Sequence, residues 1–486
     1  MRTLKVFRIY SSLPEAERLA FADYLASPYF KHPGRLVEFR ALLEEALVQQ
    51  PAEDLSPEEV WGLLSSQQGD FRANAFDKLC AELLAALNHF LAVHTLLAQP
   101  ATLAAQQVEA YVDRALDEWV PGLVDSIREK LGPALSMDAK GLHAQMQIQE
   151  NYAAYIFRQP RTPRGELLLQ TDAQLNRYYF AKKLELAAWV GVYNRAFQAE
   201  VVLPYMDMLE GAIGQSGENF PLFVRLRALA YLLTTTREDR YYWEFKALLL
   251  ASQPHEGHPD DLRGLFHLAL NHCTYRINTG ATEFEVETDD MHMAMLARGV
   301  LTADGRIPHE LVKNIVQLRL LLGHVDWVAD FLATRKEQIS APQPALALTY
   351  NEAVLAYHQQ RFSDCVRGME TVLRDFKDDI YYGTDARIYL LMCLFERSKV
   401  EDTSVEMDSR LHAFRMYLLR EQRIGETVKE RYLNLVKQFR KLIALASEHP
   451  EARKAKAQKF LLRLKEMRPV SNQRWFQRQV APWVAD

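Results

Sequence analysis

The densest gathering of potential metal ligands is His255, Glu256, His258, Asp260 and Asp261 in the segment SQPHEGHPDD, with His267 and His272 downstream. A metal centre needs several such side chains converging at bonding distance, and a Pro/Gly-flanked loop could bring two imidazoles together. The preferred reading is plainer: a solvated acidic loop leading into a helix, with Asp260 or Asp261 as its cap. The four cysteines, Cys80, Cys273, Cys365 and Cys393, are widely spaced and include no CxxC pair. Cys365 and Cys393 fall on apolar helical faces, where a thiol packs as a small hydrophobe unless a base stands beside it. The patterns GxGxxG, GxxxxGK[ST], HExxH and GxSxG are all absent, which argues against the commonest nucleotide-binding, zinc-protease and serine-hydrolase sites. The expectation is therefore a non-catalytic protein with no metal and no cofactor. An enzyme whose site is assembled from distant helices stays open as an alternative.

Two patterns pass this filter. Between Arg410 and Arg478 stand eighteen Lys/Arg against six Asp/Glu, a net +12, within a chain of net charge −5, so the remainder carries −17. Arg415, Arg420, Arg423, Lys429, Arg431, Lys437, Arg440 and Lys441 make up much of this basic face. It could attract an anionic partner such as nucleic acid, pack on the acidic remainder, or simply be solvated. Leu433, Val436, Phe439, Leu442 and Ile443 are interleaved with these cations, so the segment reads as packed helices and not as a loose basic arm. The second pattern is a recurring asparagine: Asn271, Asn314 and Asn351 each stand nine residues before Gly280, Gly323 and Gln360.

The elements that must position these residues are helices. Twenty Gly and twenty Pro in 486 residues are few for a turn-rich β fold, and good helix formers recur throughout. In SSLPEAERLAFADYLASPYF, Ser12, Pro14 and Glu15 suggest a cap, a first-turn proline and a capping-box partner, ahead of an apolar face at Leu19, Phe21, Tyr24 and Leu25. Ser56, Pro57 and Glu59 repeat the device. Helical periodicity covers Phe71–Leu97, Leu103–Trp119, Ala139–Phe157 and Glu166–Phe197. The aromatic runs at Asn176–Phe180 and Arg240–Phe245 suit core filling between helices better than base stacking. Neither a signal peptide nor a run approaching the ~20 apolar residues of a membrane span is read, and with the dispersed cysteines this suggests a cytoplasmic protein.

From about residue 198 the helices shorten and pair. An offset of 37 residues aligns Val316 with Ala353, Leu320 with Tyr357, Val325 with Phe362, Val328 with Cys365 and Leu332 with Met369. A further copy begins at Asn271, 43 residues before Asn314. The Tyr350–Leu373 copy resembles a tetratricopeptide repeat, with Ala353, Phe362 and Cys365 at its small, aromatic and small positions. It departs from that motif at Glu352 and Val372, and Gln360 replaces the turn glycine. Over a wider span, YLASPYFKHPGRL, NHCTYRINTG, LLLGHVDWVADFL and FRMYLLREQRIGETVKERYLN resemble a family of large helical, tetratricopeptide-like proteins of the Bacteroidota, uncharacterised in function. That resemblance implies a fold and no activity.

Together these readings predict an all-α protein: an N-terminal helical domain over 1–160 ending near Arg158–Glu166, a solenoid of stacked antiparallel helical hairpins over 161–400, and basic C-terminal helices over 401–486 closing it. By the tetratricopeptide resemblance, the three asparagines face a concave groove and hold the backbone of a protein or peptide partner. Their groove neighbours are His267, Thr274, Lys313, Gln317, Tyr350, Val354, Tyr357 and His358. Local or water-bonded surface asparagines are the alternative. No heptad seam argues for a homodimer.

Overall fold

The computed structural model describes residues 4–48, 56–64, 70–132, 135, 138–160, 164–216, 220–251, 259–302, 305–341, 343–375, 379–466 and 471–485. Among these the protein is all-helical, with 23 α-helices and one pair of two-residue strands. Residues 1–258 form one compact unit and residues 259–486 another. The first holds α1 (Lys5–Ser11), α2 (Glu15–Ala26), α3 (Gly34–Val48), α4 (Pro57–Leu63), α5 (Ala73–Leu97), α6 (Pro100–Asp113), α7 (Val120–Leu131), α8 (Ala139–Arg158), α9 (Gly165–Phe197), α10 (Met206–Ser216), α11 (Leu222–Thr236) and α12 (Asp239–Ala251). The second holds α13 (Pro259–Asn278), α14 (Phe284–Ala297), α15 (His309–Leu321), α16 (Val325–Arg335), α17 (Pro344–His358), α18 (Phe362–Asp375), α19 (Ile380–Arg397), α20 (Ser404–Arg420), α21 (Glu426–Ala446), α22 (Pro450–Glu466) and α23 (Gln473–Ala485).

The capping box at Ser56 forms: Glu59 N–H donates to Ser56 Oγ at 3.2 Å, and Ser56 N–H donates to the Glu59 carboxylate at 2.7 Å. The box expected at Ser12 does not form. Ser12 closes α1, a short helix missed in the sequence, and its hydroxyl donates back to the Ile9 carbonyl at 2.7 Å. Phe21, Tyr24 and Leu25 of α2 are buried with Phe39, Leu83 and Phe90, whereas Leu19 is exposed. Helix α5 corrects a second expectation, since it is long and apolar enough to cross a membrane. Its inward residues, from Phe76 to Phe90, build the core with α1–α4.

The two compact units meet in sequence between residues 258 and 259. Arg164 donates to the carbonyls of Phe157 and Gln159 at 3.1 and 3.0 Å, and α8 packs along α9 within the first unit.

In the second unit, the segments leading into α15 and α17 pair as parallel strands, β1 (Ile307–Pro308) and β2 (Ile339–Ser340), with Ile307 opposite Ile339. Helix α15 packs on α17, and α17 on α19. Val328 and Cys365, matched by the 37-residue offset, are both fully buried, as are Leu332 and Met369. The three turns also match. Gly280, Gly323 and Gln360 have φ of +102°, +89° and +61°. In each, the following N–H reaches five residues back: Ala281 to Arg276, His324 to Arg319 and Arg361 to Ala356, at 3.0, 2.9 and 2.8 Å. This is the left-handed helix ending that glycine accommodates without strain. A second core joins α19–α23 around Phe395, Phe414, Phe439, Phe460, Trp475 and Phe476.

Candidate binding cleft in residues 259–486

Helices α13, α14 and α15 enclose a cleft of about 650 Å³. Asn271 and Thr274 reach it from one turn of α13, and Asn314 and Gln317 from one turn of α15, because residues three apart share a helix face. Asn271, Thr274 and Asn314 are exposed, and neither asparagine makes a side-chain hydrogen bond among the described residues. His267 and His292 also line the cleft. His292 is 4% exposed and its Nδ1 has no partner. Burial, helped by His267 and Arg319, pushes its pKa down to about 4. Burial, with Arg263 nearby, also lowers that of His267. Both imidazoles are therefore neutral near pH 7. An imidazole held that low is a weak base but can still donate or accept a hydrogen bond.

The third asparagine departs from its counterparts. Asn351 is fully buried, its Nδ2–H donates to the Ala347 carbonyl at 2.7 Å, and its Oδ1 has no partner. Its assignment to a groove is corrected, and so are those of Tyr350 and Val354, also fully buried. The physical reason is the packing of α17 between α15, α18 and α19, which leaves those positions no solvent-facing side. Tyr350 donates to Asp385 at 3.2 Å and accepts from Gln317 at 2.7 Å. Lys313, read as a groove cation, instead pairs with Asp385 at 2.6 Å and lies over the Tyr350 and Tyr382 rings. These contacts tie α15, α17 and α19 together.

Tyr357 and His358 line a second cleft, of about 720 Å³, whose wall includes Asn472–Trp475 at the start of α23. Trp475 Nε1–H donates to the Tyr357 hydroxyl at 2.7 Å, and Arg474 pairs with the buried Glu285 of α14. Trp475 is 3% exposed and packs on Phe395 and Phe439. The chain's own terminal helix thus fills part of this second space. Burial, with Arg478 nearby, pushes the His358 pKa down to about 4. The role of α23 was missed in the sequence. The adjacent Trp475 and Phe476 in a cation-rich segment were the available signal.

Other candidates resolve into packing. His255, Glu256 and His258 lie outside the described residues, and no metal-holding group of three ligands exists among the described ones. Asp260 pairs with Arg263 at 2.7 Å. His272 is buried against Phe284. Cys365 and Cys393 are buried, and the Cys365 thiol, together with burial, raises the pKa of Cys393 far above that of a nucleophile. Phe180, Tyr242 and Phe245 of the aromatic runs are buried, although Trp243 is half-exposed.

On the basic face, Arg415, Arg420, Lys437, Arg440 and Lys441 are exposed, with no ion-pair partner among the described residues. Arg431 is half-buried. Arg423 pairs with Glu421 at 2.8 Å, and Lys429 with Glu426 at 3.1 Å. Val436, Phe439 and Leu442 point inward, as their interleaving predicts. No protein-family model, curated protein or solved structure matches this chain.

Proposed function

We propose that the helices from α13 to α19 form a tetratricopeptide-like solenoid of antiparallel hairpins, whose open cleft between α13 and α15 binds an extended peptide segment of a partner protein without catalysis. The matched turns at Gly280, Gly323 and Gln360 support the repeat. The observation that carries the binding reading is the convergence of the free Asn271 and Asn314 amides on one cleft whose inner wall holds neutral imidazoles. An amide offers donor and acceptor together, which suits a peptide backbone. Neutral imidazoles add hydrogen bonds without demanding a charged ligand.

The test places photo-crosslinking side chains at Thr274 and at the exposed Glu352 in protein incubated with extract of the native host. A peptide from one partner protein crosslinked at Thr274 and absent at Glu352 is expected. The Asn271→Ala/Asn314→Ala double variant should bind that peptide at least about tenfold more weakly, the equivalent of about 1.4 kcal/mol, with unchanged far-UV circular dichroism. Equal binding by the double variant removes the cleft assignment.

A further inference from the structure

The outward faces of α21 and α22 carry cations that neither the fold nor the peptide cleft uses. On α21, Lys437, Arg440 and Lys441 are exposed and lie within one turn, opposite the buried Leu435, Phe439 and Leu442. On α22, Lys456, Lys459 and Arg463 recur at three- and four-residue spacing and are exposed, beside the stripe of buried Ala457, Phe460 and Leu464. Of these six cations only Lys456 has an ion-pair partner among the described residues, Glu448. No Asp or Glu occurs between residues 431 and 447 or between 452 and 465. A solvated helix surface ordinarily mixes both signs, whereas these two inner stretches carry cations alone, and the exposed carboxylates Glu426 and Glu430 of α21 and Glu451 and Glu466 of α22 lie toward the helix ends.

We infer that this face binds the phosphate backbone of duplex DNA, independently of base sequence. The α21 row spans about 6 Å and the α22 row about 10 Å at 1.5 Å rise per residue. The helices pack on each other, and packed helices lie about 8–10 Å apart. That separation falls between the about 6 and about 12 Å widths of the B-DNA grooves. Flexible Lys and Arg side chains on the two rows can therefore reach phosphates on both sides of one groove. Single-stranded nucleic acid fits less well, because it is held by outward aromatic rings on which bases stack, and Phe439 and Phe460 point inward.

The full-length protein is titrated into a labelled duplex of mixed sequence, followed by fluorescence anisotropy. With six phosphates neutralised, the plot of log affinity against log salt should have a slope of about −5, losing about a thousandfold between about 50 and about 200 mM salt. Lys437→Glu/Arg440→Glu/Lys441→Glu should weaken binding at least about tenfold and flatten the slope by about 3. These side chains are exposed, so circular dichroism should not change, and Lys456→Glu/Lys459→Glu/Arg463→Glu supplies a second, independent test. The Asn271→Ala/Asn314→Ala protein should bind DNA as the unaltered chain does, which separates this face from the peptide cleft. The proposal is overturned by any of three results: no binding at low salt, affinity indifferent to both triple reversals, or stronger binding to single strands or to phosphatidylserine vesicles than to the duplex.

Discussion

The helix pair α13 and α14 and the helix pair α17 and α18 share a turn geometry and an asparagine at the same register, yet they put that asparagine to opposite uses. Asn271 is exposed in an open cleft, and Asn351 is sealed in the interior. Local sequence sets the turn, because a left-handed residue and its backbone bonds involve only neighbours along the chain. Exposure depends on what packs against the helix from elsewhere. Helix α17 has α15, α18 and α19 around it, and the end of its second cleft is occupied by α23. A recurring sequence position is therefore a statement about backbone geometry, and each occurrence acquires its chemistry from its neighbours.

The comparison is broken hardest at Trp475, the residue that closes the α17 end. Trp475→Ala should lower stability by about 3–5 kcal/mol through lost burial and a cavity, measured as a fall in the urea midpoint by circular dichroism. A loss below about 1 kcal/mol would mean that α23 is a loose cover, leaving both ends equally open.

Acid should weaken both ends through His292 and His358, each pushed down to about 4. Unfolded, each histidine takes its proton near pH 6.5, but folded it stays neutral until about pH 4. The unfolded state then binds more protons, so stability is lost as pH falls from about 6.5 toward 4, at up to about 1.4 kcal/mol per pH unit per histidine. Asp289, raised by burial, works in the opposite direction. The measurement is therefore the difference between the unaltered protein and His292→Gln/His358→Gln, whose urea midpoint should change less between pH 7 and pH 5.

Gly368 sharpens the packing side of the comparison. A Cβ there would stand 2.7 Å from the Ala353 Cβ, so α17 and α18 must separate to admit it. Gly368→Ala should cost about 1–3 kcal/mol despite the better helix propensity of alanine, read as a lower Tm. The smallest expected effect isolates the asparagines themselves. Asn351→Ala should destabilise by about 1–2 kcal/mol, through a lost buried hydrogen bond and lost packing. Asn314→Ala should stay within about 0.5 kcal/mol. Equal values from denaturant titration would erase the distinction between the buried and the exposed asparagine.

Much of the scaffold was legible along the chain. The Ser56 capping box, the long helix ending at Phe197 and the three turns all follow from contacts between residues close in sequence. Ser12 shows the limit even there. Its hydroxyl can cap forward or close backward, and the short α1 before it decided the matter. The site was legible only in part: Asn271, Thr274, Asn314 and Gln317 do share a cleft, whereas Lys313 and Tyr350 are absorbed by Asp385, which lies 72 and 35 residues further on.

The amino-acid sequence alone settled the helical class, several helix starts and the apolar register, because these depend on dihedral preference and on periodicity over a few turns. Only the tertiary structure decided where the chain divides, that α23 folds back beside Tyr357, and which of three equivalent asparagines keeps a free amide. Burial of a side chain is fixed by surfaces arriving from distant parts of the chain, and no local pattern records their arrival.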